Sequence, residues 1–194
     1  MAYNLSPTII YVDGYNLYYS RLKGTPYKWL DLGTLFRDQI LKPQDPSANV
    51  VCIKYFTSPV KASYARHGDA SAHAQTQYHR ALKATHGELV QIIQGFHIFG
   101  ATNAPSYVDG EEPDKKNLMP VWMIEEKQTD VNLALQVYRD AVSGECNHQV
   151  ICTNDSDLEP ALHLVRLDAP HVQLGLVVPL REKGLTGGAV SNKR

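Results

Sequence analysis

Short runs of consecutive apolar residues alternate along this chain with longer stretches in which apolar positions recur every three or four residues. Thr8-Ile9-Ile10-Tyr11-Val12, bounded by Pro7 and by Asp13-Gly14, predicts a strand buried on both faces. Asn49 to Phe56 predicts a second, through Val50, Val51, Cys52 and Ile53. Residues 15–22 and 31–41 have helical spacing, and Pro43 and Pro46 close the second of these. From about Ser63 to Thr85 the chain is Ala-rich and free of proline, which predicts a long, mostly polar helix. Glu88 to Phe99 predicts one strand or two short ones broken at Gly95. Residues 100–117, rich in Gly, Pro, Asp and Asn, predict a surface loop. A short strand at Met119–Ile124 follows, then an amphipathic helix over Thr129–Val142, a strand at Val150–Thr153, a helix over Leu158–Leu167 and a last strand at Val172–Val178.

Continuous apolar strands alternating with helices argue for a mostly parallel sheet covered on both faces, a single three-layer α/β/α domain over residues 1–182. Residues 183–194, polar and Gly-rich, read as a flexible tail. In such sheets ligands bind beyond the carboxyl ends of the strands. Two strands end in acids there: Val12-Asp13-Gly14-Tyr15-Asn16 and Cys152-Thr153-Asn154-Asp155-Ser156-Asp157. Asp130 opens the helix that precedes the second of them. Each of these residues has an ordinary structural use, since Asp13-Gly14 is a common turn, Asn16, Asp130 and Asp157 can cap helices, and Ser156 with Glu159 has capping-box spacing. Together, however, four carboxylates at one edge repel one another unless a cation sits between them. Oxygen-only ligands favour Mg²⁺ or Mn²⁺ over zinc.

Composition changes this picture little. The 194 residues suit one domain, with 43% hydrophobic and 20% charged residues. No apolar stretch is long enough to span a bilayer and no secretory leader is evident, so a cytoplasmic location is the expectation, without a membrane partner. Three scattered cysteines predict buried, reduced thiols. The net charge of -1 gives no global attraction for a polyanion, leaving local cations such as Lys61, Arg66, Arg80, Lys83, Lys115 and Lys116 for that purpose. His67, His73 and His79 are spaced six apart on the long helix, fan around it, and are expected at the surface.

The blocks Tyr11-Val12-Asp13-Gly14-Tyr15-Asn16-Leu17, Lys127-Gln128-Thr129-Asp130-Val131-Asn132-Leu133-Ala134 and Thr153-Asn154-Asp155-Ser156-Asp157-Leu158 resemble, in order and spacing, the NYN domain in its LabA-like branch, within the PIN-like nucleases. The resemblance implies a PIN-like fold and a metal-dependent endoribonuclease, a hydrolase of single-stranded RNA, with Mg²⁺ or Mn²⁺ held by Asp13, Asp130 and Asp155 and supported by Asp157. It gives Asn16, Lys127 and Ser156 contact with substrate or phosphate. The alternative within the family is a catalytically silent module that binds RNA or regulates. Two positions depart from the family pattern: Gln128, where the family usually has glycine, and Gln136, where it often has an acid. A phosphatase of the haloacid dehalogenase type would want Asp-x-Asp where this chain has Asp13-Gly14-Tyr15, and a Toprim domain would want an early glutamate. Homo-oligomers are compatible with the sequence.

Overall fold

The computed structural model describes residues 5–180; the expected tail at 183–194 lies outside the described residues. Five strands form one parallel sheet in the order β3-β2-β1-β6-β7. They are β1 (Ser6–Asp13), β2 (Ala48–Thr57), β3 (Val90–Gln94), β6 (His148–Cys152) and β7 (Gln173–Val177). Two further strands, β4 (Phe96–Pro105) and β5 (Leu118–Lys127), pair only with each other as an antiparallel arm. The expected surface loop is therefore corrected at its start, since residues 100–105 continue β4. Their backbone groups are satisfied by β5, and that pairing does not depend on apolar alternation.

Helices cover both faces, giving the three-layer α/β/α architecture expected from the alternation. On one side lie α1 (Gly14–Leu17) with its π-helical continuation Tyr18–Leu22, the π-helical segment Thr34–Leu41 with the short α2 (Lys42–Gln44), and α3 (Asp69–His86). On the other lie α4 (Thr129–Val142) and α5 (Glu159–Asp168). Strand β1 feeds both cores because its side chains alternate: Ile9 and Tyr11 pack towards α4 and α5, Ile10 and Val12 towards the opposite layer. His79 is corrected from a surface position: its ring packs edge-on against Tyr55, 6.0 Å between centroids, and burial lowers its pKa. The three cysteines are buried and free. No described helix is long and apolar enough to cross a membrane.

The layer of α4 is locked to the sheet by a buried polar network that interrupts its apolar core. Lys54 of β2 places Nζ 2.5 Å from Asp140 Oδ2, with side-chain exposures of 6% and 0%. The Tyr11 hydroxyl donates to the same carboxylate oxygen at 2.8 Å, and Gln149 Nε2 of β6 donates to the Tyr11 oxygen at 3.1 Å and to the Val137 carbonyl at 2.9 Å. Three adjacent strands are thereby tied to one helix. Removing one partner of such a pair strands a charge in low dielectric, which costs more than the pair itself contributes. Lys54→Met is expected to lower unfolding stability in urea by about 3–5 kcal/mol, and adding Asp140→Leu to recover much of that loss. Equal losses in the single and double variants would show that the charge pairing does not matter.

Candidate acidic site at the strand ends

The parallel sheet turns its strand order at β1, with β2 on one side and β6 on the other, and the cleft opens at the carboxyl ends of β1 and β6. It is a small cleft of about 20 Å³, lined by Asp13, Asp130, Leu133, Thr153, Asp155, Asp157 and Leu158. All four aspartates singled out from the sequence line it. Asp13 forms the floor and is buried; Asp130, Asp155 and Asp157 stand exposed around the rim.

Each carboxylate also does local structural duty. Asp13 caps α1, its Oδ1 accepting from the Asn16 backbone N–H at 2.9 Å, while its Oδ2 accepts from the Thr153 hydroxyl at 3.0 Å. The backbone must turn away from Asp13 at once, and Gly14 permits it: a Cβ there would lie 2.5 Å from the Phe56 carbonyl oxygen. Asp155 caps the following 3₁₀ turn by accepting from the Asp157 N–H at 3.0 Å. The structural and the site-forming uses of these residues coincide.

Electrostatics follows from this burial. Desolvation, opposed by the two hydrogen bonds and reinforced by Asp130 and Asp155, pushes the Asp13 carboxyl up to about 6. Asp130 is raised too, first by desolvation and then by Glu126, Asp155 and Asp157. The mutual repulsion of the cluster is thus relieved by hydrogen bonding and by readiness to hold a proton.

The three other residues expected at the site lie elsewhere or act differently. Asn16 spends its side chain on the neighbouring loop, donating to Asn154 Oδ1 at 2.5 Å and accepting from the Asn154 N–H at 3.0 Å. Ser156 lines an adjoining open depression with Asp157, Glu159, Pro160 and His163. Lys127 pairs with Glu125 at the base of the arm. Gln128, where the family would have glycine, has φ of 75°, the left-handed value that glycine accepts most easily. It is the one non-glycine residue with positive φ among the described residues.

Two contributors escaped the sequence reading. Thr153 ends the apolar strand β6 with a hydroxyl that touches Asp13. Glu126 accepts from Ser58 Oγ at 2.6 Å and from Thr129 Oγ1, and so braces the start of α4 beside Asp130. The brace needs Gly95, where a Cβ would sit 2.3 Å from the Lys127 carbonyl oxygen and 2.5 Å from Thr129 Oγ1. An apolar strand closing in Thr was the available signal for the first. Nothing in the spacing marked Glu126.

No family model matches the chain. A protein of Pseudomonas putida (strain DSM 28022 / S16), 6-hydroxy-3-succinoylpyridine 3-monooxygenase HspA, is 43% identical over 191 residues, covering 89% of this chain and 59% of that protein. The chain thus spans under two thirds of the relative's length. Among solved structures, a protein of unknown function from Vibrio parahaemolyticus RIMD 2210633 has a TM-score of 0.47 and 14% identity, over 92% of this chain and 84% of that one.

These findings correct the expected chemistry. The relative is an oxygenase by name, which overturns the assignment of a ribonuclease, nuclease or other hydrolase. The Mg²⁺ or Mn²⁺ expectation falls with it. Among the described residues no three His, Cys, Asp or Glu side chains are disposed to hold a metal ion. The argument from repulsion assumed fully ionised carboxylates, whereas burial keeps Asp13 easily protonated.

The raised pKa of Asp13 has a consequence for stability. Its ionised form opposes folding, because the folded value of about 6 lies above the unfolded value of 3.8. The penalty is absent below the unfolded value, grows as pH rises between the two, and is complete at pH 7. Asp13→Asn is expected to raise stability at pH 7 by about 2–3 kcal/mol and to flatten the stability profile across that window. Unfolding titrations at a series of pH values check this; a variant that follows the wild-type profile in parallel contradicts it.

Proposed function

We propose that the acidic cleft binds a small hydroxylated heteroaromatic ring and that Asp13 accepts the proton of its ring hydroxyl during a monooxygenation of the kind named for the Pseudomonas putida relative. The observation that carries this reading is the Asp13 carboxylate buried on the cleft floor, where desolvation pushes its pKa up to about 6, towards the value at which a general base works best in neutral solution. Leu133 and Leu158 offer apolar walls to a planar ring. In the substrate that the relative's name states, positions 6 and 3 face each other across the ring. An oxyanion forming at position 6 pushes electron density to carbon 3, the position the name gives for oxygenation. That carbon carries the succinoyl group, so the new C–O bond forms as the bond from carbon 3 to the acyl carbon breaks, and water takes up the acyl group as a carboxylic acid.

Monooxygenation puts one atom of dioxygen into the ring and reduces the other to water, with two electrons from a donor such as a reduced nicotinamide or flavin. The residues of the cleft do not fit such a cofactor. Asp13, Asp130, Asp155 and Asp157 present carboxylates where its phosphates would need donors and positive charge. The chain's own contribution is therefore to bind, orient and deprotonate the ring, with the reductant delivered from outside this cleft.

A second reading, the RNA-binding module without hydrolysis implied by the NYN resemblance, is favoured by one feature. The exposed Tyr19 ring stacks on Tyr15 at 6.0 Å between centroids, with Lys23 Nζ 4.7 Å above it. The acidic rim opposes it, because phosphates are repelled there.

The test supplies 6-hydroxy-3-succinoylpyridine, a reduced nicotinamide or flavin, and ¹⁸O-labelled dioxygen. Labelled oxygen is expected in the ring product, with kcat falling about 10²–10⁴-fold in Asp13→Asn. No label with either donor, or a variant as fast as wild type, overturns the reading. Tight binding of single-stranded RNA in place of turnover would favour the second.

A further inference from the structure

Helix α4 is apolar on two opposite faces. Leu133, Val137 and Ala141 are buried against the sheet. Val131, Leu135, Tyr138 and Val142 recur at steps of four, three and four residues, which sets them in one stripe roughly 150° around the helix from the buried one. That stripe looks away from the sheet: Val131 and Leu135 are each 61% exposed and Val142 47%. On α5, Leu164 and Leu167, 46% and 61% exposed, are turned away from buried Val165 in the opposite rotational sense. The two helices pack side by side on the same face of the sheet, and the Tyr138 hydroxyl donates to Asp168 Oδ2 at 2.7 Å between them. Both stripes therefore converge on the outer side of the groove between α4 and α5 and make one continuous patch.

We infer that this outer face of α4 and α5 is where two copies of the chain associate, face to face about a two-fold axis that runs across both helices. Two observations choose a second copy as the occupant. The patch is nearly palindromic. An axis crossing α4 between Gln136 and Val137 lays Val131 over the partner's Val142 and Leu135 over the partner's Tyr138. The same axis crossing α5 between Val165 and Arg166 lays Leu164 over the partner's Leu167. The Tyr138–Asp168 contact puts the two crossings about one residue's rise apart in height, ~1.5 Å, so one axis serves both helices. The area also matches. The five aliphatic side chains leave on the order of 450 Å² of apolar surface open on a single face. A homodimer interface of standard size takes roughly 800 Å² from each partner, about 65% of it apolar. Steps of four and three are the spacing at which side chains of one helix seat between those of another, and the antiparallel pairing sets the positive end of each α4 beside the negative end of its counterpart.

Sedimentation velocity of the whole chain from 1 to 100 µM is expected to show a monomer–dimer equilibrium. Leu135→Lys and Leu167→Lys are each expected to raise the dimer dissociation constant at least about thirtyfold, as loss of a central anchor does. Both positions are exposed and lysine is about as good a helix former as leucine, so thermal melting of the dilute variants is expected to match that of dilute wild type. Trp122→Lys, at the exposed apolar residue of the β4–β5 arm, serves as the control and is expected to leave the dimer intact. A wild-type chain that stays monomeric at 100 µM overturns the proposal, whatever else then covers the face. So does a folded Leu135→Lys or Leu167→Lys variant that dimerises as wild type does, or a dimer that Trp122→Lys alone dissociates.

Discussion

The buried pairing of Lys54 with Asp140 is the contact on which the geometry of the cleft depends. Asp130 reaches the site only because α4 lies at a fixed height and rotation over β1, β2 and β6. Apolar packing alone would tolerate sliding of that helix, since dispersion contacts are non-directional. The charge pair is directional. Lys54 and Tyr11 bind the Asp140 carboxylate to two strands, and Gln149 ties the third strand to the Tyr11 oxygen and to the Val137 carbonyl of α4. Asp140 and Asp130 stand ten residues apart on the same helix, so fixing the first positions the second, about 15 Å along the axis. At that far end Glu126, Ser58 and Thr129 close a second polar brace. The helix is held at both ends.

What the cleft does chemically follows from how it handles its own charge. Four carboxylates meet at one sheet edge, yet only Asp13 is buried. Burial there is offset by donors from Asn16 and Thr153, and the remainder appears as a raised pKa. A carboxyl poised near neutrality takes and returns protons easily, whereas three exposed neighbours keep the entrance negative and favour uncharged or cationic ring atoms over phosphates. On the proposed reading, the poised carboxyl serves proton transfer from a ring hydroxyl, while the negative rim disfavours contact with a polyanion.

Much of this was legible in the sequence, for identifiable reasons. Continuous apolar runs at Ile9–Val12 and Val150–Cys152 announce strands buried on both faces, and the acids that end them mark the edge where parallel sheets bind ligands. The convergence of Asp13, Asp130, Asp155 and Asp157 was visible from that rule. The arm was not, because Gly100, Thr102 and Asn103 show no alternation and are held by backbone pairing. Lys54 inside an apolar strand and Asp140 on the inner face of α4 were signals of a buried pair that spacing did not connect across 86 residues. The reaction was misread for a different reason. An aspartate cluster at strand ends reports where chemistry happens, while the class of chemistry depends on burial and protonation, which no spacing encodes. Gln128 shows the converse: the departure from glycine was visible, and its cost became clear only from the left-handed backbone at that position.

The central claim is that Asp13 sits in the cleft as a buried carboxyl that titrates near neutrality. Carbon-13 NMR of the side-chain carboxyl groups, with Asp13 assigned through the Asp13→Asn variant, measures this directly. The account predicts a midpoint near 6, as burial beside Asp130 and Asp155 requires. A midpoint at the ordinary aspartate value near 4 would contradict it, since a carboxyl that stays ionised at every working pH offers no poised base for a ring hydroxyl.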